Sequence, residues 1–525
     1  MHKKTRGAAM AALLLASPLG TSLAAEPPPR FIVTLRSEAV AQAAAATAAR
    51  ASLPQRLGLQ ALGEAGAGQL VLRGRPGQDA VALRQALAAD PAVAAVQLDR
   101  PVRRHALPND PRLARGDSLG PAVGQWYLQT PDASRPSAID AVRGWDLSRG
   151  GSLSSSVIVA VLDTGVRPDH PDLADKLLPG YDFISDPAIA IDGDGRDGDP
   201  SDPGDHTADG DPFGCSAAPS SWHGTQVAGL VGAATDNAVG MAGAGWNLRV
   251  LPVRVLGRCI GYQSDIVAAM RWAAGLPVSG LPTNPNPARV LNLSLGGGGA
   301  CDSVYQGAID AVRAQGVVVV ASVGNSNGRA VTAPANCRGV IAVGGLRHDG
   351  QKVGYSDVGP EISLSAPAGN CANDSGPCLY PISTTSDRGL AEPVGPTYTG
   401  DGADASLGTS FATPLVAATA GLVLTVQAGL SPDEVRQVLQ RSARSFPEGG
   451  TACRAPGAVD QLACRCTTST CGAGMLDMAA ALQRASTTVP AGEGGGGGGG
   501  APGRLGLLVL ALLVVAAARA TRRRA

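Results

Sequence analysis

Val157-Ile-Val-Ala-Val-Leu-Asp163-Thr-Gly165 is an unbroken apolar run of strand length that ends in a carboxylate, a hydroxyl and a glycine. Strands without polar alternation are buried on both faces, the condition of a parallel sheet covered by helices. Outward from this segment, residues 250–256, 290–295, 317–323 and 340–343 repeat the pattern. Between them, residues 264–274 and 303–314 carry helical periodicity, with Ser264 and Ser303 expected as N-caps. Strand and helix in alternation predict an α/β fold with a doubly wound, mostly parallel sheet over residues 125–485. Functional groups should then collect at the C-terminal ends of the strands.

Asp163 falls at such an end, where a carboxylate can orient a partner. The chain has six histidines; His2 and His105 lie in segments expected to be removed, which leaves His170, His206, His223 and His348. His223 opens His223-Gly-Thr-Gln-Val-Ala-Gly-Leu230, where the glycine and the small apolar residues behind it allow a helix to pack closely on the sheet. Its position suits a base held at a helix start. Gly408-Thr-Ser410-Phe-Ala-Thr-Pro414 introduces an apolar helix, and Pro414 occupies the first turn, where a missing N–H does no harm. Ser410 is therefore expected at the positive end of a helix dipole, with its own N–H available to an oxyanion. Asn325, in Val323-Gly-Asn-Ser-Asn327, is the candidate for the second oxyanion donor.

The motifs Val-Leu-Asp163-Thr-Gly, His223-Gly-Thr and Gly-Thr-Ser410-Phe-Ala-Thr-Pro, in that order and with Asn325 between the last two, resemble those of the subtilases, the subtilisin-like serine proteases. The resemblance covers residues 125–484. It implies a secreted serine endopeptidase acting on protein or peptide substrates through an acyl-enzyme. Ser410 would attack the carbonyl, His223 would take and return the proton, and Asp163 would fix the imidazole tautomer. Asn325 and the Ser410 N–H would hold the oxyanion. The resemblance also implies that Ser294, Leu295 and Gly296 on one side and Gly261 and Tyr262 on the other flank an extended substrate. Two residues depart from the family: Phe411 stands where many subtilases have an oxidisable methionine, and Leu415 where histidine is common.

Ten aspartates lie between Asp182 and Asp211. Of these, Asp192, Asp194, Asp197, Asp199 and Asp202 are candidate Ca²⁺ ligands, with a solvated acidic loop as the alternative. The run is no EF-hand, because its sixth position is Asp197 and its twelfth Pro203. A second calcium site, implied by the resemblance, would use Asp172 and Asn237. Two rival enzymes meet obstacles. Gly324-Asn-Ser326-Asn-Gly328 fits an esterase nucleophile elbow, but no Asp or Glu lies between it and His348, the last histidine. Asp163-Thr-Gly fits half of an aspartic-protease dyad, and the chain has no second Asp-Thr-Gly. A non-catalytic surface protein that keeps the fold remains as the alternative outside enzymes, against which the complete set of four polar residues argues.

The 525 residues carry 43 basic and 43 acidic side chains, a net charge of zero that argues against nucleic acid as a partner. Glycine (70) and proline (39) stay just under the share at which disorder becomes the default. With 5 Trp, 7 Tyr and 5 Phe, the core has to be aliphatic. Lys3, Lys4 and Arg6 precede an apolar stretch and then Ser22-Leu-Ala-Ala25, the layout of a signal peptide over residues 1–25. Residues 26–106 read as a small α/β unit with strands at 30–35, 69–73 and 93–98, an Ala-rich helical segment and a helix at 79–89. That unit resembles the inhibitory, folding-assisting propeptides of subtilases, which makes the chain a zymogen inhibited by its own propeptide and processed within residues 107–124. At the far end, residues 486–503 form a Gly-rich linker, and residues 504–525 an apolar tail with Arg519, Arg522, Arg523 and Arg524. The tail resembles sorting signals of exported Gram-negative bacterial proteins, which implies secretion or a cell-surface stay and a membrane-bound C-terminal processing protease as partner; a permanent anchor is the alternative. The ten cysteines all lie between Cys215 and Cys471, and in an exported chain they read as disulfides. Sequence order suggests Cys215 with Cys259, Cys301 with Cys337 and Cys371 with Cys378. Cys453, Cys464, Cys466 and Cys471 either pair among themselves or bind zinc.

Overall fold

The computed structural model describes residues 28–36, 52–99, 107–113, 122–153, 156–371, 378–400 and 406–490. The signal segment, most of the Ala-rich segment, part of the processing region and the apolar tail lie outside the described residues. The chain divides into two compact units, Met1–Arg104 and His105–Ala525.

The first unit is a four-stranded antiparallel sheet in the order β2-β3-β1-β4, built from β1 (Arg30–Leu35), β2 (Gln60–Gly66), β3 (Gln69–Arg73) and β4 (Val93–Leu98). Every second residue of β1 and β3 (Phe31, Val33, Leu35, Leu70, Leu72) points into one small core that also takes Leu87 of α1 (Ala80–Ala88). Asp79 caps α1 by accepting from the backbone N–H groups of Val81 and Ala82. β2 has no counterpart in the sequence reading. Its Gln-Ala-Leu-Gly-Glu-Ala-Gly is mostly exposed and forms a strand only by pairing with β3, so no apolar alternation marks it.

The second unit carries seven parallel strands in the order β11-β10-β9-β8-β5-β7-β6. They are β5 (Ile158–Asp163), β6 (Tyr181–Asp182), β7 (Arg249–Arg254), β8 (Val290–Leu293), β9 (Val318–Ser322), β10 (Ile341–Leu346) and β11 (Ile362–Pro367). Its longer helices are α2 (Ala141–Leu147), α3 (His223–Gly232), α4 (Gln263–Ala273), α5 (Ser303–Arg313), α6 (Thr413–Val426), α7 (Pro432–Ser442) and α8 (Met478–Ala485). Along β5 the side chains alternate between two cores. Val159 and Val161 join residues of α3, α6, α7 and α8 on one face, and Ala160 and Leu162 join α4 and α5 on the other. Each fully buried aliphatic side chain contributes about 1.5–3 kcal/mol, which is why the strands are apolar without interruption. The same enclosure explains α6, which with the turn ahead of it makes an 18-residue stretch, Thr409–Val426, long and apolar enough to cross a membrane yet buried in the core.

Two details differ from the sequence reading. Ser264 and Ser303 are not caps; they lie inside their helices. α4 follows Tyr262, which makes no side-chain cap, and α5 is capped by Asp302, whose carboxylate accepts from Val304 and Tyr305 N–H. β6 and β11 add strands at both edges; in β11 serines alternate with apolar residues, and Ser365 is satisfied by the Cys471 carbonyl at 2.8 Å. All ten cysteines are paired: 215–259, 301–337, 371–378, 453–464 and 466–471. The last two pairs leave no thiolates there for zinc.

The chain pairs β7 on one side of β5 and then β8 on the other. The carboxyl end of β5 is thus the switch point of the sheet, the place where open α/β folds form their crevice. Asp163 is the last residue of β5.

Candidate active site

Asp163 is buried, and its Oδ1 accepts from Thr164 N–H at 2.8 Å and lies 2.6 Å from His223 Nδ1. His223 is the first residue of α3, and the preceding chain is braced to present it there. Trp222 takes the left-handed conformation (φ 52°) and donates its indole N–H to Gly389 O at 2.7 Å. Ser221 Oγ accepts from His223 N–H at 3.2 Å, while Asp205 accepts from both the N–H and the hydroxyl of Ser221 at 2.5 and 2.6 Å. A glycine follows the histidine because a Cβ on residue 224 would sit 2.1 Å from Gly165 O. Burial pulls the His223 pKa down, but the charge and hydrogen bond of the Asp163 carboxylate, together with the charges of Asp205 and Asp202, more than offset it. The imidazole is held above its ordinary value. With Nδ1–H donated to Asp163, Nε2 is the nitrogen left to act as a base.

Ser410 lies in a short 3₁₀ turn, Thr409–Phe411, just ahead of α6, so it is presented by the turn rather than by the first residue of the helix. Its hydroxyl donates to Ser294 O at 3.1 Å, and Ser294 Oγ donates to Ser410 O at 2.8 Å. It is turned to this carbonyl and not to His223; the ring of the next residue, Phe411, lies 5.5 Å from the imidazole. Catalytic hydrogen bonds are commonly loose before substrate arrives. Asn325 follows β9, and its Oδ1 accepts from Thr409 N–H at 2.8 Å and from the Thr409 hydroxyl at 3.0 Å. With the oxygen so engaged, Nδ2 is the donor end. Gly408 (φ 144°) separates the two groups: a Cβ there would be 3.3 Å from Asn325 Nδ2 and 3.5 Å from Ser410 Oγ. The amide and the hydroxyl therefore share one corner.

His223 opens onto a cleft of about 810 Å³. Ser294, Leu295, Gly296 and Gly261 line it, and so do the apolar Leu256, Ile266 and Tyr305. Tyr262, 45% exposed, stands outside the lining. The other sequence candidates are placed elsewhere. His170 is buried, with Nε2 2.9 Å from Thr397 O, and His348 is stacked on Tyr380 at 3.8 Å. Ser326 lies in a loop followed by β10 and not by a helix, so it is no nucleophile elbow.

A sequence profile of the subtilase family matches residues 154–474. The chain belongs to the subtilase family. It is 37% identical to the extracellular protease of Xanthomonas campestris over 84% of this chain and 74% of that protein. It is 37% identical to the extracellular basic protease of Dichelobacter nodosus, over 69% of this chain and 56% of that one. Among solved structures, that of a protease from Pseudoalteromonas arctica superposes with a TM-score of 0.61 at 41% identity, covering 73% of this chain and 100% of the other. As a subtilase the protein is a serine endopeptidase with an α/β, doubly wound fold.

In this subtilase the two sets of calcium candidates differ. Asp172 and Asn237 do meet, with Nδ2 3.1 Å from Oδ1, but Asp172 Oδ2 accepts from Met241 N–H at 2.8 Å and the Tyr398 hydroxyl at 2.9 Å. Burial pushes this carboxyl up to about 6, and the Arg112 guanidinium lies 4.3 Å over the Tyr398 ring. Protein donors already surround the carboxylate, so a cation does not fit. Asp192, Asp194, Asp197, Asp199 and Asp202 line a 280 Å³ hollow together with Ser201 and Arg167. Asp192 is bonded to the buried Arg254, and both oxygens of Asp202 accept from Gly204 N–H (2.9 Å) and the Thr164 hydroxyl (2.7 Å). Asp194, Asp197 and Asp199 remain as hard oxygen donors suited to Ca²⁺.

Sequence reasoning missed Thr164, Asp205, Ser221 and Trp222 as parts of the site. Thr164 sits inside the quoted Asp-Thr-Gly motif, a usable signal. The brace on Trp222 comes from Gly389, 167 residues away, and leaves no local mark.

Proposed function

We propose that this subtilase is a secreted zymogen in which Asp163, His223 and Ser410 form the triad and Asn325 completes the oxyanion hole. An extended peptide lies in the cleft between Gly261 and the segment Ser294, Leu295 and Gly296. Ser410 Oγ turns from Ser294 O toward His223 Nε2 and attacks the scissile carbonyl carbon while Nε2 takes its proton. Asp163 Oδ1 stabilises the imidazolium through Nδ1–H. The carbonyl oxygen gains the negative charge and accepts from Asn325 Nδ2–H and Ser410 N–H, groups already in place and therefore needing no reorganisation. As the C–N bond breaks, Nε2–H protonates the leaving amine, and water then repeats the sequence to release the acyl group. The observation that carries this reading is the 2.6 Å contact of His223 with Asp163 at the sheet's switch point, next to the corner shared by Ser410 and Asn325. A fluorophosphonate probe should label the mature protein at Ser410, located by peptide mass. Label on another residue, or none on folded mature protein, overturns the assignment.

The same reading takes the first unit as the inhibitory propeptide, removed by autoprocessing, and the chain's similarity to extracellular proteases supports export. A calcium ion would be held in the acidic loop by Asp194, Asp197 and Asp199 with Asp192 at the edge. Bound there, it supplies charge compensation among crowded carboxylates. A ligand that binds only the folded state at 100 times its Kd stabilises by about 2.7 kcal/mol, so excess chelator should lower the Tm by several degrees. An unchanged Tm removes calcium from this loop.

A further inference from the structure

We propose that Asp202 is a positioning residue for the Asp163–His223 pair and acts through the Thr164 hydroxyl. The inference rests on the serine-endopeptidase reading above. Asp202 is a carboxylate only 1% exposed, in a loop whose neighbouring aspartates are mostly solvated. Its backbone N–H donates to Val166 O at 2.8 Å, and Val166 N–H donates to Pro200 O at 3.1 Å. Segment 200–202 is thus zipped alongside the turn that follows Asp163.

Thr164 Oγ1 is the junction of three segments. It donates its proton to Asp202 Oδ2 at 2.7 Å and accepts from Gly224 N–H at 3.0 Å. Thr164 N–H meanwhile holds Asp163 Oδ1 at 2.8 Å. One residue after the acid is therefore bonded to one residue after the base. A hydroxyl rotates freely unless its proton has a fixed acceptor, and Asp202 is that acceptor: it aims the lone pair of Oγ1 at the buried Gly224 N–H. Asp163 Oδ2 is buried without a hydrogen-bond partner among the described residues. The carboxylate is therefore oriented at Oδ1 alone, by Thr164 and His223, and it has no second anchor to absorb a shift of the turn. Losing the Asp202 contact frees both the turn under Asp163 and the first turn of α3 under His223. Misplacement of a reacting group by about 1 Å costs on the order of 10² in rate.

The test is a set of variants of the mature enzyme, with active sites counted by fluorophosphonate and kcat and KM measured on a chromogenic peptide. Thr164→Val and Asp202→Asn should each lower kcat about 10- to 100-fold with KM within about 3-fold. The double variant should be no worse than Thr164→Val alone, because valine already removes the hydroxyl through which Asp202 acts. Thr164→Ser, which keeps the hydroxyl, should stay within about 3-fold of the parent. Wild-type kcat in Thr164→Val, losses that multiply in the double variant, or a loss in KM alone overturns the proposal. If Asp202→Asn does not fold or mature, the valine and serine variants decide: equal kcat in the two overturns it. A parent enzyme that is not labelled at Ser410 overturns the functional reading instead, so the two failures are distinguishable.

Discussion

Ser410→Ala lowers turnover by about 10⁶, the scale of loss known for removal of the nucleophile in subtilisin itself, and leaves the full-length chain as an uncut precursor. The substitution removes the one oxygen that donates to Ser294 O and would form the acyl bond, and it disturbs little else. Ser410 is buried in a 3₁₀ turn whose backbone is set by Asn325 and by α6, so alanine fits the same space. Oxyanion donors and the cleft survive, which predicts a residual activity of about 10³–10⁴ over water rather than none. Because the first unit is expected to be cut by the chain's own site, intact mass and gel mobility report the same loss as peptide hydrolysis. A Ser410→Ala protein that matures in a host free of other proteases, or that retains a tenth of parental turnover, sinks the assignment.

Asp163→Asn should cost about 10⁴ in kcat and move the acid limb of the pH–activity profile downward. The first effect follows from Oδ1: an amide placed there presents a donor or a weaker acceptor to Nδ1 and favours the tautomer in which Nε2 already carries the proton. The second follows from what holds the His223 pKa up. Burial opposes the imidazolium, and the carboxylates of Asp163, Asp205 and Asp202 together outweigh it, Asp163 foremost. Activity needs the neutral imidazole, so it rises as pH passes upward through the His223 pKa, and a raised pKa displaces that limb to higher pH. Removing the carboxylate leaves burial as the leading influence, so the limb shifts to lower pH even as the rate at its plateau falls. A pH profile of kcat/KM for both proteins checks the sign. An unshifted limb, or a loss under about 10-fold, would falsify the role given to Asp163.

Much of this site was legible in one dimension because its parts are local. Asp163 ends an apolar run, His223 precedes a glycine that permits close packing, and Ser410 precedes a proline that starts a helix; each is a statement about a few neighbouring residues. The buried strands were legible for the same reason, since burial on both faces leaves no polar position in β5, β7 or β9 apart from their ends. Exposed β2 carried no such mark, and β11 was masked by serines whose hydroxyls find partners only after folding. Asp302 took the cap of α5 from Ser303 because its longer carboxylate reaches two N–H groups of the first turn.

The acidic loop divides most sharply. Composition identified it as crowded with carboxylates, but it could not sort them. The sequence alone determined the class of fold, the order of the chemical groups and the disulfide-bearing half of the chain, because hydrophobic period and motif order act over short spans. Only the tertiary structure decided that Asp202 serves Thr164, that Asp172 is closed off by Tyr398, and that Trp222 is pinned by Gly389. Those pairings join residues 38, 226 and 167 positions apart, and a polar side chain's partner at such separation is settled by which segments the packed core brings together.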